Sequence, residues 1–106
     1  MKVTPQLLRV LRAFVDDPAG RRYGYELMTA AKLSSGTLYP LLARLEGEGM
    51  VESAWETPGD EAQRPRKYYR LTGEGVRFAR LELAAAFEQG RPAPGARTRP
   101  ALGDAL

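Results

Sequence analysis

The stretch from Ser34 to Met50, SSGTLYPLLARLEGEGM, restricts the possible folds of this chain more than any other. Its leucines recur at the i, i+3, i+4, i+7 spacing that places apolar side chains on one face of a helix. Ser34 and Ser35 precede the pattern, where a hydroxyl can accept hydrogen bonds from first-turn N–H groups, and Gly49 follows it, as glycine often does at helix ends. The spacing predicts an amphipathic helix with the apolar residues Leu38, Leu41, Leu42 and Leu45.

The other face of this predicted helix carries hydrogen-bond donors, namely Thr37, Tyr39 and Arg44. An apolar back and a donor-bearing front are typical of a helix that contacts DNA bases, but an ordinary solvated surface helix has the same pattern. Pro40 leaves the helix start open, because proline removes a backbone hydrogen bond in a helix interior. The helix starts either at Pro40, after a turn over 34–39, or near Ser35 with a bend.

Composition excludes several classes of protein. The 106 residues suffice for one domain, and they include no cysteine and no histidine. Without these residues a disulfide framework, nearly all zinc sites and the common nucleophile–base pairs are unavailable, so we expect no catalytic residue, metal or cofactor. No apolar run approaches the roughly 18 residues that span a bilayer, and the N-terminus lacks the apolar core of a signal peptide, which predicts a cytoplasmic protein without membrane contact. The net charge of +3 and the isoelectric point near 9.5 permit a nucleic-acid partner.

Two further helices are predicted ahead of the Ser34 helix. Thr4 and Pro5 form an N-cap followed by proline at the first helical position, and apolar residues at helical spacing continue to Val15. A shorter helix is predicted over about Tyr25 to Lys32, and only a few residues separate it from the Ser34 helix. Two helices joined by so short a turn, the second with a polar front, are typical of a helix-turn-helix.

The period of the pattern changes after Gly49. Residues 51–56 alternate between two kinds of side chain, which predicts a half-buried strand in which Trp55 joins the core. Residues 57–63 predict a loop, and residues 66–71 predict a second strand. A hairpin directly after a recognition-like helix is a wing. Basic residues without an acid occur in its second half: Arg64, Arg66, Lys67 and Arg70. They suit contact with phosphates, although a charged strand edge that discourages aggregation has the same composition.

A final helix is predicted after Thr72, its N-cap. Its apolar residues form two faces, one with Val76, Ala79, Leu83 and Phe87 and the other with Phe78, Leu81 and Ala85. Because a small core cannot cover both faces, the second face predicts a dimer interface; the alternative is that it packs on the N-terminal helix. From Gly90 onward the sequence is rich in Pro, Gly, Ala and Arg and predicts a disordered tail.

Three stretches in this order resemble the PadR family of bacterial transcriptional regulators: GYEL at 24–27, SGTLYPLL at 35–42 with RLE at 44–46, and RKYYRLT at 66–72. The resemblance covers residues 4 to about 88 and implies a winged-helix homodimer, joined through its C-terminal and N-terminal helices, that usually represses transcription at a palindromic operator. It implies that Pro40 lies within the recognition helix, which then starts near Ser35. By position it places Tyr25, Ser35, Thr37 and Tyr39 at the duplex and Arg64, Arg66 and Lys67 in the wing.

Two departures from the family pattern affect these expectations. The connection between Leu27 and Ser34 is shorter than usual, so the second helix is expected to lose about one turn. A single C-terminal helix follows the wing, as in the compact subgroup, some of whose members bind flat hydrophobic ligands between aromatic residues of that helix. Here the helix offers Phe78 and Phe87 but no tryptophan, so the resemblance leaves any small-molecule effector undefined.

The sequence thus predicts a mainly α fold with a small β-hairpin: a winged helix-turn-helix of three helices, a two-stranded wing and a C-terminal dimerisation helix. The predicted parts are a DNA-binding domain over 1–71, a dimerisation helix over 72–89 and a disordered tail over 90–106. The predicted function is that of a DNA-binding regulator, and a winged-helix protein–protein adaptor is the alternative. DNA contacts are predicted for Tyr25, Ser34, Ser35, Thr37, Tyr39, Arg44, Arg64, Arg66 and Lys67. Dimer contacts are predicted for Leu7, Leu11, Phe78, Leu81 and Ala85.

Overall fold

A computed structural model describes residues 1–18, 20–56 and 64–89. Four helices and three strands follow in the order α1 (Pro5–Val15), β1 (Arg22–Tyr23), α2 (Gly24–Ala31), α3 (Ser35–Gly47), β2 (Val51–Glu56), β3 (Arg66–Leu71) and α4 (Gly73–Glu88). This arrangement confirms the predicted winged helix-turn-helix. The predicted loop over 57–63 and the predicted disordered tail over 90–106 lie outside the described residues.

The core of the protein is one apolar cluster to which all four helices and the sheet contribute. Helix α1 supplies the largest share because its stripe of apolar residues faces inward along its whole length. Its start is fixed by Thr4, whose hydroxyl accepts a hydrogen bond of 3.1 Å from the Leu7 N–H, and by Pro5 at the first helical position. The Arg9 side chain joins α1 to the end of α2 by donating to the Ala31 carbonyl at 2.8 Å.

The recognition helix α3 runs through Pro40 without interruption, from Ser35 to Gly47. The start near Ser35 is therefore correct, and a start at Pro40 is wrong. Leu38, Leu42 and Leu45 are buried on its inner face, while Pro40 is exposed on the opposite side. The missing N–H of Pro40 thus costs a hydrogen bond on the solvent side of the helix and leaves the core contacts intact.

The sheet contains one strand more than the sequence predicts. Its order is β1-β3-β2, with both pairs antiparallel, and β1 consists of only Arg22 and Tyr23. In the hairpin, Val51 lies opposite Leu71, and both are buried. The same register places Glu52 opposite Arg70 and Glu56 opposite Arg66 on the other face of the hairpin.

One prediction about an aromatic residue in the core is wrong. Trp55 is 66% exposed and lines a groove with Lys67. Phe87 is also 66% exposed, although Ala79 and Ala86 on the same helix are buried. Phe87 therefore lies on the outer side of the last turn of α4.

The start of α4 is bonded to the end of α3. The Thr72 hydroxyl accepts from the Gly75 N–H at 3.0 Å and donates to the Gly49 carbonyl at 2.6 Å, and the Thr72 N–H donates to the Met50 carbonyl at 3.0 Å. Gly75 is required by this close approach, since a β-carbon at position 75 would overlap the Met50 carbonyl oxygen. Helix α4 is thereby attached to the segment that follows α3 without a flexible linker.

One part of the predicted dimer interface needs correction. Leu7 and Leu11 are 0% exposed and belong to the core of their own chain. A side chain without exposed surface has none to offer a second copy, so these two residues stabilise the fold of the single chain. Phe78 and Ala85 are half-buried and Leu81 is exposed, so the interface at these three residues stays a prediction.

Candidate nucleic-acid interface

The outer face of α3 is formed by small residues. Gly36, Pro40, Ala43 and Gly47 recur every three to four residues opposite the buried leucines, and all are exposed. A helix face without long side chains lets the backbone approach a neighbouring molecule closely. This face was not predicted, because hydrogen-bond donors were taken as the sign of a DNA contact. The spacing of the small residues is nevertheless present in the sequence.

The donors predicted on one front of α3 lie on two flanks of this small-residue face. Successive residues are about 100° apart on a helix, so Thr37 and Tyr39 are separated by about 200°. Arg44 follows Thr37 by about two turns and shares its flank. Tyr39 lies on the other flank, where its hydroxyl rests on Gly24 at the start of α2; a β-carbon at position 24 would overlap it. The flanks therefore place two different sets of donors beside the small face.

The first turn of α3 has unused hydrogen-bond capacity. Ser34 is the N-cap residue by backbone geometry, but its hydroxyl makes no capping bond and lies 3.4 Å from the Thr37 hydroxyl. Residues 34–37 are all exposed. The N–H groups and hydroxyls of this turn can therefore donate to an external acceptor such as a phosphate oxygen, which the helix dipole also favours.

A groove of about 430 Å³ lies between the starts of α2 and β3 and the side of α3. It brings together four of the predicted DNA-contacting residues, Tyr25, Tyr39, Arg66 and Lys67, while Arg44 and Arg64 are exposed outside it. The Lys67 ammonium lies 5.9 Å from the Trp55 ring centroid and 5.6 Å from that of Tyr69. These ring contacts leave the charge of Lys67 available, since none of the ion pairs among the described residues includes it. The groove is lined by Tyr23, Gly24, Tyr25, Met28, Tyr39, Trp55, Arg66, Lys67 and Tyr69.

Arg66 and Arg70 differ from Lys67, because carboxylates of the facing strand engage them. Arg66 contacts Glu56 at 3.5 Å, and Arg70 donates to Glu52 at 2.6 and 3.0 Å. These contacts were not predicted, because residues ten or more positions apart become neighbours only through the antiparallel register. The wing is therefore less positive than its second strand alone indicates.

Glu56 is the centre of a four-residue cluster. Its carboxylate accepts from the Tyr23 hydroxyl at 2.8 and 2.9 Å and from Arg21 at 2.9 Å, besides the contact with Arg66. The hydrogen bond from Tyr23, followed by that from Arg21, holds the pKa of the Glu56 carboxyl below its ordinary value, and the same bond to Glu56 raises the pKa of the Tyr23 phenol. At neutral pH the carboxylate is ionised and the phenol keeps its proton.

Helix α4 presents an apolar patch on one side. We call Phe78, Leu81 and Ala85 the α4 patch; Leu81 is 69% exposed and the other two are half-buried. Apolar side chains exposed on one side of a helix are typical of contact surfaces.

Residues 1–18, 20–56 and 64–89 form neither a candidate metal site nor a membrane-spanning helix. Carboxylates do not gather there in a group of three or more that could hold a metal ion. None of the helices in that part of the chain has the length and apolar character needed to cross a membrane.

Comparison with known proteins agrees with this geometry. The profile of the transcriptional regulator PadR-like family matches residues 14–81. The PadR family transcriptional regulator from Eggerthella lenta is 33% identical, with a TM-score of 0.56, and the match covers 79% of this chain and 72% of that one. The PadR-like transcription factor from Bacteroides fragilis is 30% identical, with a TM-score of 0.58, over 80% of this chain and 84% of that one.

The transcriptional regulator PA4135 is 29% identical to this chain, with a TM-score of 0.62. The match covers 82% of this chain but only 59% of that protein, so this chain spans less than two thirds of its length. No curated protein matches the chain. The family profile includes α2, α3, both long strands and half of α4, which are the elements that build the face described above. The chain belongs to the PadR-like family of transcriptional regulators.

Proposed function

We propose that this protein is a cytoplasmic, sequence-specific DNA-binding repressor that binds a palindromic operator as a homodimer. The observation that carries the proposal is the outer face of α3, where Gly36, Pro40, Ala43 and Gly47 leave the helix backbone uncovered beside exposed donors. The B-DNA major groove is about 12 Å wide and admits one α-helix, so a helix of small outer residues fits it deeply.

Base contacts are assigned to the flanks of α3. Thr37 and Arg44 lie on one flank and Tyr39 on the other, so a helix seated in the groove would present them to both sides of the major-groove floor. Thr37 offers a hydroxyl and a methyl group, which suit a base edge and a thymine methyl respectively. The uncapped first turn, with Ser34 and Ser35, suits a phosphate at the rim of the groove.

Backbone contacts are assigned to the groove beside α3 and to the wing. Lys67 carries a charge without an ion-pair partner among the described residues, and Tyr25 and Tyr39 have exposed hydroxyls nearby. Arg64 is exposed just before β3. Phosphates fix the position of a protein on the duplex and receive most of its cationic contacts, which is the role these residues can fill.

The homodimer is assigned to the α4 patch. Burying the α4 patch against a second copy would remove Leu81, which is 69% exposed, from water. A two-fold dimer presents two α3 helices related by symmetry, and a palindromic operator has the same symmetry. Bound at such a site near a promoter, the dimer would exclude other proteins from the DNA, which is the simplest route to repression.

Selection of duplexes from a random pool by the purified full chain tests the proposal. We expect enrichment of an inverted repeat whose half-sites are about one helical turn apart. Sedimentation at micromolar concentration should give a dimer, and Leu81→Glu should give a monomer, whereas Leu81→Met, which conserves volume, should remain dimeric. Selection without any enriched sequence, or a wild-type monomer, would contradict the proposal.

The protein–protein adaptor remains a second candidate because one observation favours it. Glu52 and Glu56 engage Arg66 and Arg70, which lowers the net positive charge of the wing. An adaptor would not depend on the remaining cations. Retention on heparin at low salt that falls when Lys67 is replaced by alanine would favour DNA binding, and retention that does not change would favour the adaptor.

A further inference from the structure

We propose that Arg21, Tyr23 and Arg66 form a second phosphate-binding site of the wing, which takes a phosphodiester of duplex DNA, and that the Glu56 carboxylate occupies this site in the free protein. The proposal rests on the proposed DNA-binding function and adds to it a site and a residue that limits its use. Glu56 is then an internal competitor of the DNA backbone.

The donors around Glu56 are the donors that a phosphodiester requires. A carboxylate and a phosphodiester both present two oxygens that share one negative charge. Here Arg21 donates to one Glu56 oxygen at 2.9 Å, Arg66 lies 3.5 Å from the other, and the Tyr23 hydroxyl lies 2.8 and 2.9 Å from the two. Two guanidinium groups and a phenol converging on one anion are an arrangement that also suits phosphate.

The donors are held in place by contacts that do not involve Glu56. The Arg21 guanidinium lies 4.6 Å from the Tyr68 ring centroid, and the Arg66 guanidinium lies 4.4 Å from that of Tyr23. Tyr23 and Tyr68 are themselves partners in the β1–β3 register. The aromatic rings position both arginines. The cationic site therefore persists when Glu56 turns away, and the arginines stay ordered when a phosphate replaces the carboxylate.

The site is accessible from the proposed DNA path. The side chains of Arg21 and Arg66 are about half exposed, while that of Glu56 is less exposed than either. Arg66 also lines the groove that holds Lys67, so a DNA strand in contact with Lys67 passes beside the cluster. The ionised carboxylate neutralises one of the two arginine charges, and replacing it with a neutral group would leave both for the duplex.

Occupation of the site by Glu56 has a consequence for specificity. Phosphate contacts strengthen binding to every sequence, whereas the contacts of α3 distinguish between sequences. A carboxylate that competes for two wing arginines therefore reduces the affinity for random DNA. The contacts of α3 then contribute a larger share of the total affinity, and a smaller fraction of the protein is bound to DNA outside the operator.

The test is the salt dependence of binding to a random duplex by the full chain and by Glu56→Gln. One additional phosphate contact steepens the log–log slope by about 0.9, which corresponds to roughly eightfold tighter binding at 0.1 M salt. We expect Glu56→Gln to show at least this change, and Glu56→Ala, which also removes the hydrogen bond with Tyr23, to show it too. Thermal unfolding of each variant checks that it is folded.

Glu52→Gln is the matched control. It changes the net charge by the same amount, in the same strand and on the same face of the hairpin, but among the described residues Glu52 engages Arg70 alone. We expect its effect on random-duplex affinity to be clearly smaller than that of Glu56→Gln. An equal gain in both variants would mean that net charge alone is responsible, and would overturn the proposal.

A cycle with the arginines completes the test. Replacing Arg21 and Arg66 with alanine in the Glu56→Gln background should abolish the gain, while the same replacements in the wild type should change the slope much less. Glu56→Gln that binds no tighter than the wild type, or a gain that persists without both arginines, overturns the Glu56 proposal alone. A wild type that binds no duplex at low salt overturns the proposed function together with it.

Discussion

The outer face of α3 and the outer face of the wing, which are both proposed to contact DNA, differ in how their side chains are engaged. On α3 the residues facing outward are small and uncharged, and the hydroxyls of its first turn are exposed. On the wing, the side chains of one face are already joined by hydrogen bonds and ion pairs through Glu52 and Glu56. Under the proposed function, shape would govern the contact of the helix, whereas competition between anions would govern the contact of the wing.

Blocking the small face of α3 should have the largest effect of any single change. Ala43→Glu places a carboxylate where the helix approaches the duplex, and like charges brought together at an interface cost several kcal/mol. We expect operator binding to weaken by about 100-fold or more while the protein stays folded, since Ala43 is exposed. Fluorescence anisotropy with labelled operator measures the change, and Ala43→Gln separates bulk from charge. Wild-type affinity in Ala43→Glu would mean that this face does not meet the DNA.

Thr37→Ala should affect the operator and not random DNA. If the Thr37 side chain contacts a base, its removal should lower the preference for operator over random duplex by roughly 1–3 kcal/mol. The salt slope should stay nearly unchanged, because threonine is neutral. Titrations of both duplexes at several salt concentrations measure the two quantities together. An unchanged preference for operator over random duplex, together with a flatter salt slope, would mean that Thr37 contacts a DNA phosphate. The proposed difference between base contacts by α3 and phosphate contacts by the wing would then not hold.

Lys67→Ala should show the converse behaviour. Loss of one phosphate contact should flatten the salt slope by about 0.9 and weaken operator and random duplex alike, by roughly eightfold at 0.1 M salt. The sequence alone favours Arg66 for this experiment, but Arg66 contacts Glu56, whereas Lys67 contacts aromatic rings and no carboxylate within the described part of the chain. Arg66→Ala in the wild type is therefore the control with the smaller expected change. A larger effect from Arg66→Ala would mean that Glu56 does not compete for it.

The smallest expected effect is the pH dependence of the difference in stability between Glu56→Gln and the wild type. The pKa of Glu56 in the folded protein lies below its ordinary value of 4.5, chiefly through the hydrogen bond from Tyr23, so its contribution to stability is present above pH 4.5 and is lost as the pH falls through the lower value. Glu56→Gln should therefore be slightly less stable than the wild type at pH 7, and the difference should shrink below pH 4.5. Urea denaturation of both proteins from pH 7 to pH 3 measures it. A difference that is constant over this range would assign it to another cause.

Periodicity in the sequence predicted the long elements because each of them buries one face. The leucines of α3, the stripe of α1 and the alternation in β2 and β3 specify these elements locally. The resemblance to known regulators settled the start of α3 near Ser35 when the residues alone could not. Strand β1 escaped prediction because two residues contain no period and are held in place only by their pairing with β3.

The errors arose where the outcome depends on distant parts of the chain. Alternation placed Trp55 on the same face of the hairpin as the buried Val51 but could not show that Trp55 is exposed in a groove. The pairing of Glu56 with Arg66 depends on the hairpin register, which local sequence does not specify. Leu7 and Leu11 were assigned to a partner because the amount of apolar surface that α2 and α4 would cover was not known.

The hydrogen bonds of Thr72 and the close contact at Gly75 fix the orientation of α4 relative to the end of α3. In a dimer joined through the two α4 helices, the angle between them sets the distance between the two α3 helices, because no hinge separates α4 from the end of α3. A side chain at position 75 would disrupt this contact and shift α4 relative to the α3 helix of the same chain. In the proposed dimer, the accepted spacing of operator half-sites would depend on the contacts of Thr72 and Gly75, and changing it would require changes there and not in α3.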